Sequence, residues 1–386
     1  MASTTSNHHL MLSMLLFAML IFTSLDLTVG QVGTFYGRLG TNLPGAARTV
    51  GLYQSNNIRR MRLYDPDGPT LRSLAGTNIS LTMGVSHPDL RDLANCPAAA
   101  TAWVRRYILR FPNVKFRSII VGNEIDPASE LGPFVFPAMQ NIYRAIGAAG
   151  LGGKIRVSTS INIDLLSRWS PPQAGEFKCS VNWFIRPILE FLRDTRAPIG
   201  VNVFPFYAYL NDRQNINLSF ALLQPNNGVV YGGVYYDNLF YVIFDAFDAA
   251  IDRILAATSL LSTGTSSDKA EQKKVVIGSG SASNRGSPPP PPGHGSPPPP
   301  PGHGSLPTIF PDALSDGPIA TVENARIYIN NLMRIVRNGS PRSPGRPIET
   351  YIFSMFDENL RPGPEYERHF GIFSANGQPK FPFRFQ

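Results

Sequence analysis

The chain has 386 residues, 43% of them hydrophobic and 16% charged, with a formal net charge of +8. That length suits one large globular domain or two ordinary ones, and the composition excludes a wholly disordered or fibrous chain. The positive balance favours polyanionic surroundings, but the basic residues are scattered without a dense run, which argues against nucleic acid and leaves affinity for a wall or matrix polymer.

The first thirty residues stand apart. Residues 10–22 are almost unbroken Leu, Met, Ile and Phe, followed by Thr28, Val29 and Gly30, small residues of the kind a signal peptidase reads, although the usual basic flank is missing. We read 1–30 as a secretory signal, too short for a comfortable membrane span, with neither a second span nor a lipid-anchor tail after it. Export would place Cys96 and Cys179 in an oxidising compartment, where they either pair or stay free, two cysteines being no disulfide scaffold. Asn78, Asn217 and Asn338 begin N-glycan acceptor triplets.

From residue 32 short apolar runs alternate with helical patterns. Strands are predicted at 32–36, 58–64, 80–85, 114–121, 154–160, 199–204, 274–277 and 351–356. Helices are predicted at 46–54, 98–109, 138–149 with Gly150 as its cap, 183–192, 237–256 and 321–336. In the longest of these, Leu239, Ile243, Phe247, Ala250 and Ile254 form one side, and Asp245, Asp248 and Asp252 the other. Eight strands alternating with helices point to an α/β protein of the (β/α)8 TIM-barrel type. A doubly wound sheet would want a glycine-rich phosphate loop, and Gly37-Arg38-Leu39-Gly40 has neither the spacing nor a following helix start.

One stretch breaks the alternation. Residues 287–295 read SPPPPPGHG and 296–304 repeat it letter for letter. Five consecutive prolines cannot enter a helix or a central strand, so 284–317 reads as an extended, low-complexity insertion after the seventh strand. His294 and His303 in such a spacer make a poor metal-ligand pair. The resulting division is a leader at 1–30 and one domain at 31–386 carrying that insertion.

The run Ile119-Ile120-Val121-Gly122-Asn123-Glu124 holds the first catalytic candidate. Three β-branched residues suit a strand buried on both faces, and a carboxylate just past the carboxyl end of such a strand sits where α/β barrels place their chemistry. Taken alone, a Glu there also suits the start of a helix.

Tyr36-Gly37, the run from Arg60 to Pro66, Val121 to Glu124, Val201 to Phe206, Glu349 to Phe353 and Phe356 to Asn359 occur in one order that closely resembles the plant endo-β-1,3-glucanases of glycoside hydrolase family 17. The resemblance implies a barrel with a long groove across its C-terminal face, acting on β-1,3-glucan with retention of configuration, without metal or cofactor, as a monomer with no membrane anchor. It implies that Glu124, beside Asn123, is the proton donor. Tyr36, Tyr64, Phe204, Phe206 and Phe356 would line the groove for sugar stacking, and Glu349 and Glu358 would bond substrate hydroxyls or the nucleophile; a plain salt bridge is the other reading of Glu349.

Retention needs a second carboxylate, about 5 to 5.5 Å from the first. The family carries it after the seventh strand, in a stretch like Val-Ser-Glu-Ser-Gly-Trp-Pro-Ser. Here the run is Val276-Ile277-Gly278-Ser279-Gly280-Ser281-Ala282-Ser283, so Ser279 occupies the nucleophile position. No His motif stands near to activate its hydroxyl. Three expectations follow: a glucanase of impaired activity, a β-glucan-binding pseudoenzyme, or a mis-spliced segment at 278–316 in an otherwise active enzyme.

Overall fold

The computed structural model describes residues 32–261, 274–277 and 319–385. The leader, Ser279 and the proline repeats lie outside them. Eight parallel strands close into a barrel: β1 (Val32–Phe35), β2 (Arg60–Leu63), β3 (Ser80–Val85), β4 (Lys115–Asn123), β5 (Arg156–Asn162), β6 (Ile199–Asn202), β7 (Lys274–Ile277) and β8 (Glu349–Ile352). Every strand pairs with its sequence neighbours, and β8 closes on β1 through Val32 opposite Thr350. The main helices are α1 (Ala46–Ser55), α2 (Gly68–Leu74), α3 (Pro97–Val104), α4 (Gly132–Ala148), α5 (Asn182–Asp194), α6 (Leu239–Leu261) and α7 (Val322–Ile335). The predicted (β/α)8 architecture is what the chain adopts.

Period-two alternation divides each strand between two environments. Met61 and Leu63 of β2 are fully buried in the large core between barrel and helices. Arg60 and Arg62 point the other way, into the lumen. Contacts between strands that are not neighbours demonstrate this: Arg62 of β2 reaches Asn123 of β4 and Ser160 of β5, and Thr82 of β3 meets the Tyr351 hydroxyl of β8 at 2.9 Å. Higher in the lumen Phe35, Tyr351 and Phe353 form a second apolar cluster with Tyr64 and Phe370 against it.

Two expectations need correction, and helix α6 adds a feature the sequence reading did not address. Helix α4 begins at Gly132 and runs through Pro137, ahead of the predicted start at 138; Val135, Ala138 and Met139 are fully buried, and that burial offsets one missing backbone hydrogen bond near the helix start. Its end is as predicted, with Gly150 at φ +72° and the Leu151 amide donating to the Ile146 carbonyl at 3.1 Å. On helix α6 Asp252 is exposed, but Asp245 is fully buried and Asp248 nearly so. The turn at 339–344 covers them, and Arg342 donates from its amide to Asp245 (3.0 Å), from Nε to Asp248 (2.6 Å) and from Nη2 to Asp252 (2.6 Å). Finally, the last strand is Glu349–Ile352, not 351–356. Past Ile352 the backbone bonds to loops instead, with Ser354 donating to Phe370 and Met355 to Phe35. Cys96 and Cys179 are exposed and unbridged. No helix among the described residues is long and apolar enough to cross a membrane.

Candidate active site

The site is built by an irregularity at the end of β4. Ile120 stands opposite Ser158 of β5, but the next aligned pair is Asn123 with Ser160, three residues against two. The extra residue makes a β-bulge, which re-aims the side chains beyond it. Gly122 absorbs the turn at φ +79°, and Glu124 follows at φ +53°, a left-handed conformation uncommon for a residue with a Cβ. The Glu124 amide donates to the Ser160 carbonyl at 2.8 Å, fastening this conformation to β5. As a result two consecutive side chains, Asn123 and Glu124, both take part in one cluster of polar groups at the carboxyl end of the barrel.

That cluster is hydrogen-bonded from three strands. Arg62 donates through Nη2 to Asn123 Oδ1 (2.9 Å) and to Ser160 Oγ (3.0 Å), and its guanidinium lies 4.5 Å over the Phe35 ring. It is 1% exposed, and burial lowers its pKa to about 9. Asn202, the last residue of β6, donates through Nδ2 to Glu124 Oε1 in a short hydrogen bond. Burial pushes the Glu124 carboxyl up to about 7, against the Asn202 hydrogen bond and the charges of Arg62 and Arg361, which favour ionisation, while Asp164 adds to the rise. A carboxyl half-ionised near neutrality is suited to deliver a proton and to take one back.

The other predicted site residues divide. Tyr64 is half-buried at the barrel mouth, its ring 5.0 Å from Phe35 and 6.3 Å from Phe353. Phe204 and Phe206 line a cavity of about 590 Å³ together with Phe353, Tyr366 and Phe370. Phe206 packs edge-on to Tyr366 (5.4 Å) and Phe370 (6.0 Å), so aromatic rings form one wall. Glu124 is not among the cavity's lining residues; Phe204, two residues beyond Asn202, and Phe353 of the lumen cluster connect the two regions.

Tyr36 and Phe356 offer no face to the mouth. Each packs in the main core, 6.0 Å apart edge-on, with Phe356 fully buried and 6.0 Å from Phe373. Phe35 points into the lumen, so alternation turns Tyr36 outward. Glu349 sits at the other end of the barrel. It is the first residue of β8, roughly 13 Å below Phe353 at about 3.3 Å per residue, and accepts from Arg117 Nε (2.8 Å) and Tyr351 Oη (3.0 Å) while pairing with Arg60 at 3.1 Å. Those arginines hold its carboxyl below the usual range despite burial. It is a structural ion cluster in the barrel floor, not a substrate contact.

Glu358 also differs from expectation. It is 3% exposed and accepts from the Leu39 amide at Oε1 (2.9 Å), with Arg361 3.8 Å from Oε2, so it ties the loop after β1 to the loop after β8; Oε2 is buried without a hydrogen bond among the described residues. A Cβ on Gly37 would lie 2.1 Å from its Oε1, which explains a glycine after Tyr36. Burial raises the Glu358 carboxyl against the pull of Arg361.

Three residues of the site had no role assigned from sequence: Arg62, Asn202 and Arg361, the last stacked 4.4 Å over Phe353 and acting electrostatically on Glu124. The signal for Arg62 is present in Arg60-Met61-Arg62-Leu63, where charged and apolar residues alternate with the strand period. Ser279 lies outside the described residues.

Comparison with known proteins identifies the family and agrees with the fold. The pattern of glycosyl hydrolases family 17 matches residues 32–260 and 312–385, and the interval between takes in the proline repeats and Ser279. The chain is 41% identical over 375 residues to glucan endo-1,3-beta-glucosidase B of Solanum lycopersicum, covering 96% of this chain and 91% of that protein. It is 39% identical to the basic isoform of glucan endo-1,3-beta-glucosidase from Phaseolus vulgaris, covering 92% and 90%. Among solved structures it superposes on CJP38, a beta-1,3-glucanase and allergen of Cryptomeria japonica pollen, with TM-score 0.76 and 33% identity, covering 92% of this chain and 99% of the other. A plant beta-glucan endohydrolase gives TM-score 0.75 at 34% identity, covering 92% and 100%. The chain therefore belongs to glycosyl hydrolases family 17.

Proposed function

We propose that the chain is a glycoside hydrolase of the endo-β-1,3-glucanase class in which Glu124 is the proton donor and the covalent step is impaired by Ser279. The observation that carries the reading is a carboxyl raised to about 7 and held by Asn202 at the end of β4. Relatives named for hydrolysis of 1,3-β-glucan supply the substrate class. In this reading Glu124 delivers its proton to the glycosidic oxygen as the bond to the anomeric carbon lengthens. Retention then requires a carboxylate on the opposite face of the sugar, and an unactivated serine hydroxyl is a poor substitute.

Incubation with laminarin should release little reducing sugar, and Ser279→Glu should raise turnover by about three orders of magnitude or more. Strong hydrolysis by the unaltered chain would overturn the claim of impairment. The aromatic wall of Phe204, Phe206, Tyr366 and Phe370 favours a second reading, a protein that binds β-1,3-glucan without cleaving it; failure to be retained on insoluble β-1,3-glucan removes that reading. The break in the family match over 261–311 supports the third, a mis-spliced segment, and sequencing the transcript across that junction decides it. The apolar leader supports entry into the secretory route, with a vacuolar or extracellular destination.

A further inference from the structure

We propose that Asn202 is a positioning residue whose side-chain amide serves Glu124 in both protonation states, donating from Nδ2 to the carboxylate and, after a half-turn of the amide, accepting at Oδ1 from the carboxylic acid. The inference rests on the reading of Glu124 as proton donor.

Asn202 is 4% exposed and its two amide atoms are used unequally. Nδ2 donates to Glu124 Oε1 and lies 3.5 Å from Asn123 Oδ1. Among the described residues Oδ1 is buried without a hydrogen-bond partner. An unpaired buried acceptor costs free energy and calls for an explanation. The neighbouring amide cannot supply one by turning, because Asn123 Oδ1 is held by Arg62, and a guanidinium can only donate. Among the described residues the one group hydrogen-bonded to Asn202 that alternates between acceptor and donor is the Glu124 carboxyl. Ionised, it can only accept, which matches the orientation observed; protonated, its O–H needs an acceptor. A half-turn of Asn202 would place Oδ1 there, 3.5 Å from Asn123 Oδ1 instead of the weak contact Nδ2 makes now, and would move Nδ2 to the position where Oδ1 lies unpaired, a cost that the bond from the carboxylic acid offsets. An acid that gives up a proton and regains it thus keeps one fixed neighbour throughout.

The charges acting on Glu124 come from several elements: Arg62 on β2, Arg361 after β8 and Asp164 after β5, with Tyr64 at the end of β2 also coupled to it. The test is a titration of the full-length chain by NMR, from about pH 4 to about pH 9, reading the Glu124 carboxyl carbon and the Asn202 side-chain amide together. The Asn202 amide signals should move with the same midpoint as the Glu124 carboxyl. Asn202→Ala should raise that midpoint by about one pH unit, about a tenfold gain in proton affinity, because the bond lost from the carboxylate is charge-assisted and stronger than the one lost from the carboxylic acid. Asn202→Ser, whose hydroxyl can donate or accept, should bring it part of the way back. Asp164→Asn should lower the midpoint while the Asn202 signals continue to follow Glu124. Asn202 signals that do not change with pH, or an Ala variant with an unchanged or lowered midpoint, would overturn the proposal, and the parent titration decides alone if the variants do not fold. None of these readings requires turnover, so an inactive chain can still pass, and an active chain with a silent Asn202 refutes only this inference.

Discussion

Replacing Glu124 by Gln removes a titrating proton and keeps side-chain size and an acceptor oxygen for Asn202. Burial raises this carboxyl from an ordinary 4.5 to about 7, so between those values the folded chain binds the proton more tightly than the unfolded one. Stability must then fall as pH rises through the interval. Below it both states are protonated and the residue contributes nothing; above it both are ionised and the folded state bears the whole cost. At about 1.4 kcal/mol per pH unit the interval is worth up to about 3 kcal/mol. Because the side chain is half-buried, solvent screening reduces this to about 2 kcal/mol. Glu124→Gln should therefore match the parent near about pH 4 and exceed it by about 2 kcal/mol near about pH 8. Urea unfolding at a series of pH values, followed by fluorescence of the three tryptophans, measures the difference directly. A gap that stays constant across the series, or a Gln variant less stable at high pH than at low, would refute the reasoning.

Other consequences follow from the same geometry. Gly122→Ala places a Cβ at φ +79° and 3.1 Å from Ile125 Cγ1; we expect a loss of about 1–2 kcal/mol in thermal unfolding and weaker retention on β-1,3-glucan, because the bulge no longer aims Asn123 and Glu124. Glu349→Ala leaves Arg60 and Arg117 without their carboxylate in the barrel floor, so unfolding should become easier by about 3 kcal/mol, with glucan retention unchanged in pull-down assays of the folded fraction. Gly37→Ala drives a Cβ into the Glu358 carboxylate, and a lowered melting temperature should be partly restored by Glu358→Ala in the same chain, a non-additivity that a double-mutant cycle reads out.

Much of this architecture is written in residue periodicity. Alternation in Arg60-Met61-Arg62-Leu63 assigns two faces of one strand, and the apolar side of α6, Leu239 to Ile254, is buried as its 3.6-residue spacing requires. The candidate Glu124 could be named from the strand that runs into Asn123, although its residue type there suits a helix start as well and only the family resemblance gave it a role. Periodicity carries no information about depth, however. Nothing local distinguishes Glu349, at the amino end of β8, from a residue at the mouth, because that depends on where the strand starts, which closure against β1 and β7 decides. Nor does it say which polar face stays wet: Asp245 and Asp248 look like solvent residues until Arg342, more than ninety positions away, covers them.

What the sequence determined by itself was the alternation of strand and helix and the residue types gathered at strand ends, since both follow from local period and composition. What only the tertiary structure decided was the working geometry of the site: the bulge at Gly122 that turns two consecutive side chains toward one cluster, and the meeting of Arg62, Asn123, Glu124 and Asn202 from three strands. The reason is that hydrogen bonds and burial depend on distance in space, and a closed barrel brings together across its lumen residues that the chain keeps some sixty to eighty positions apart.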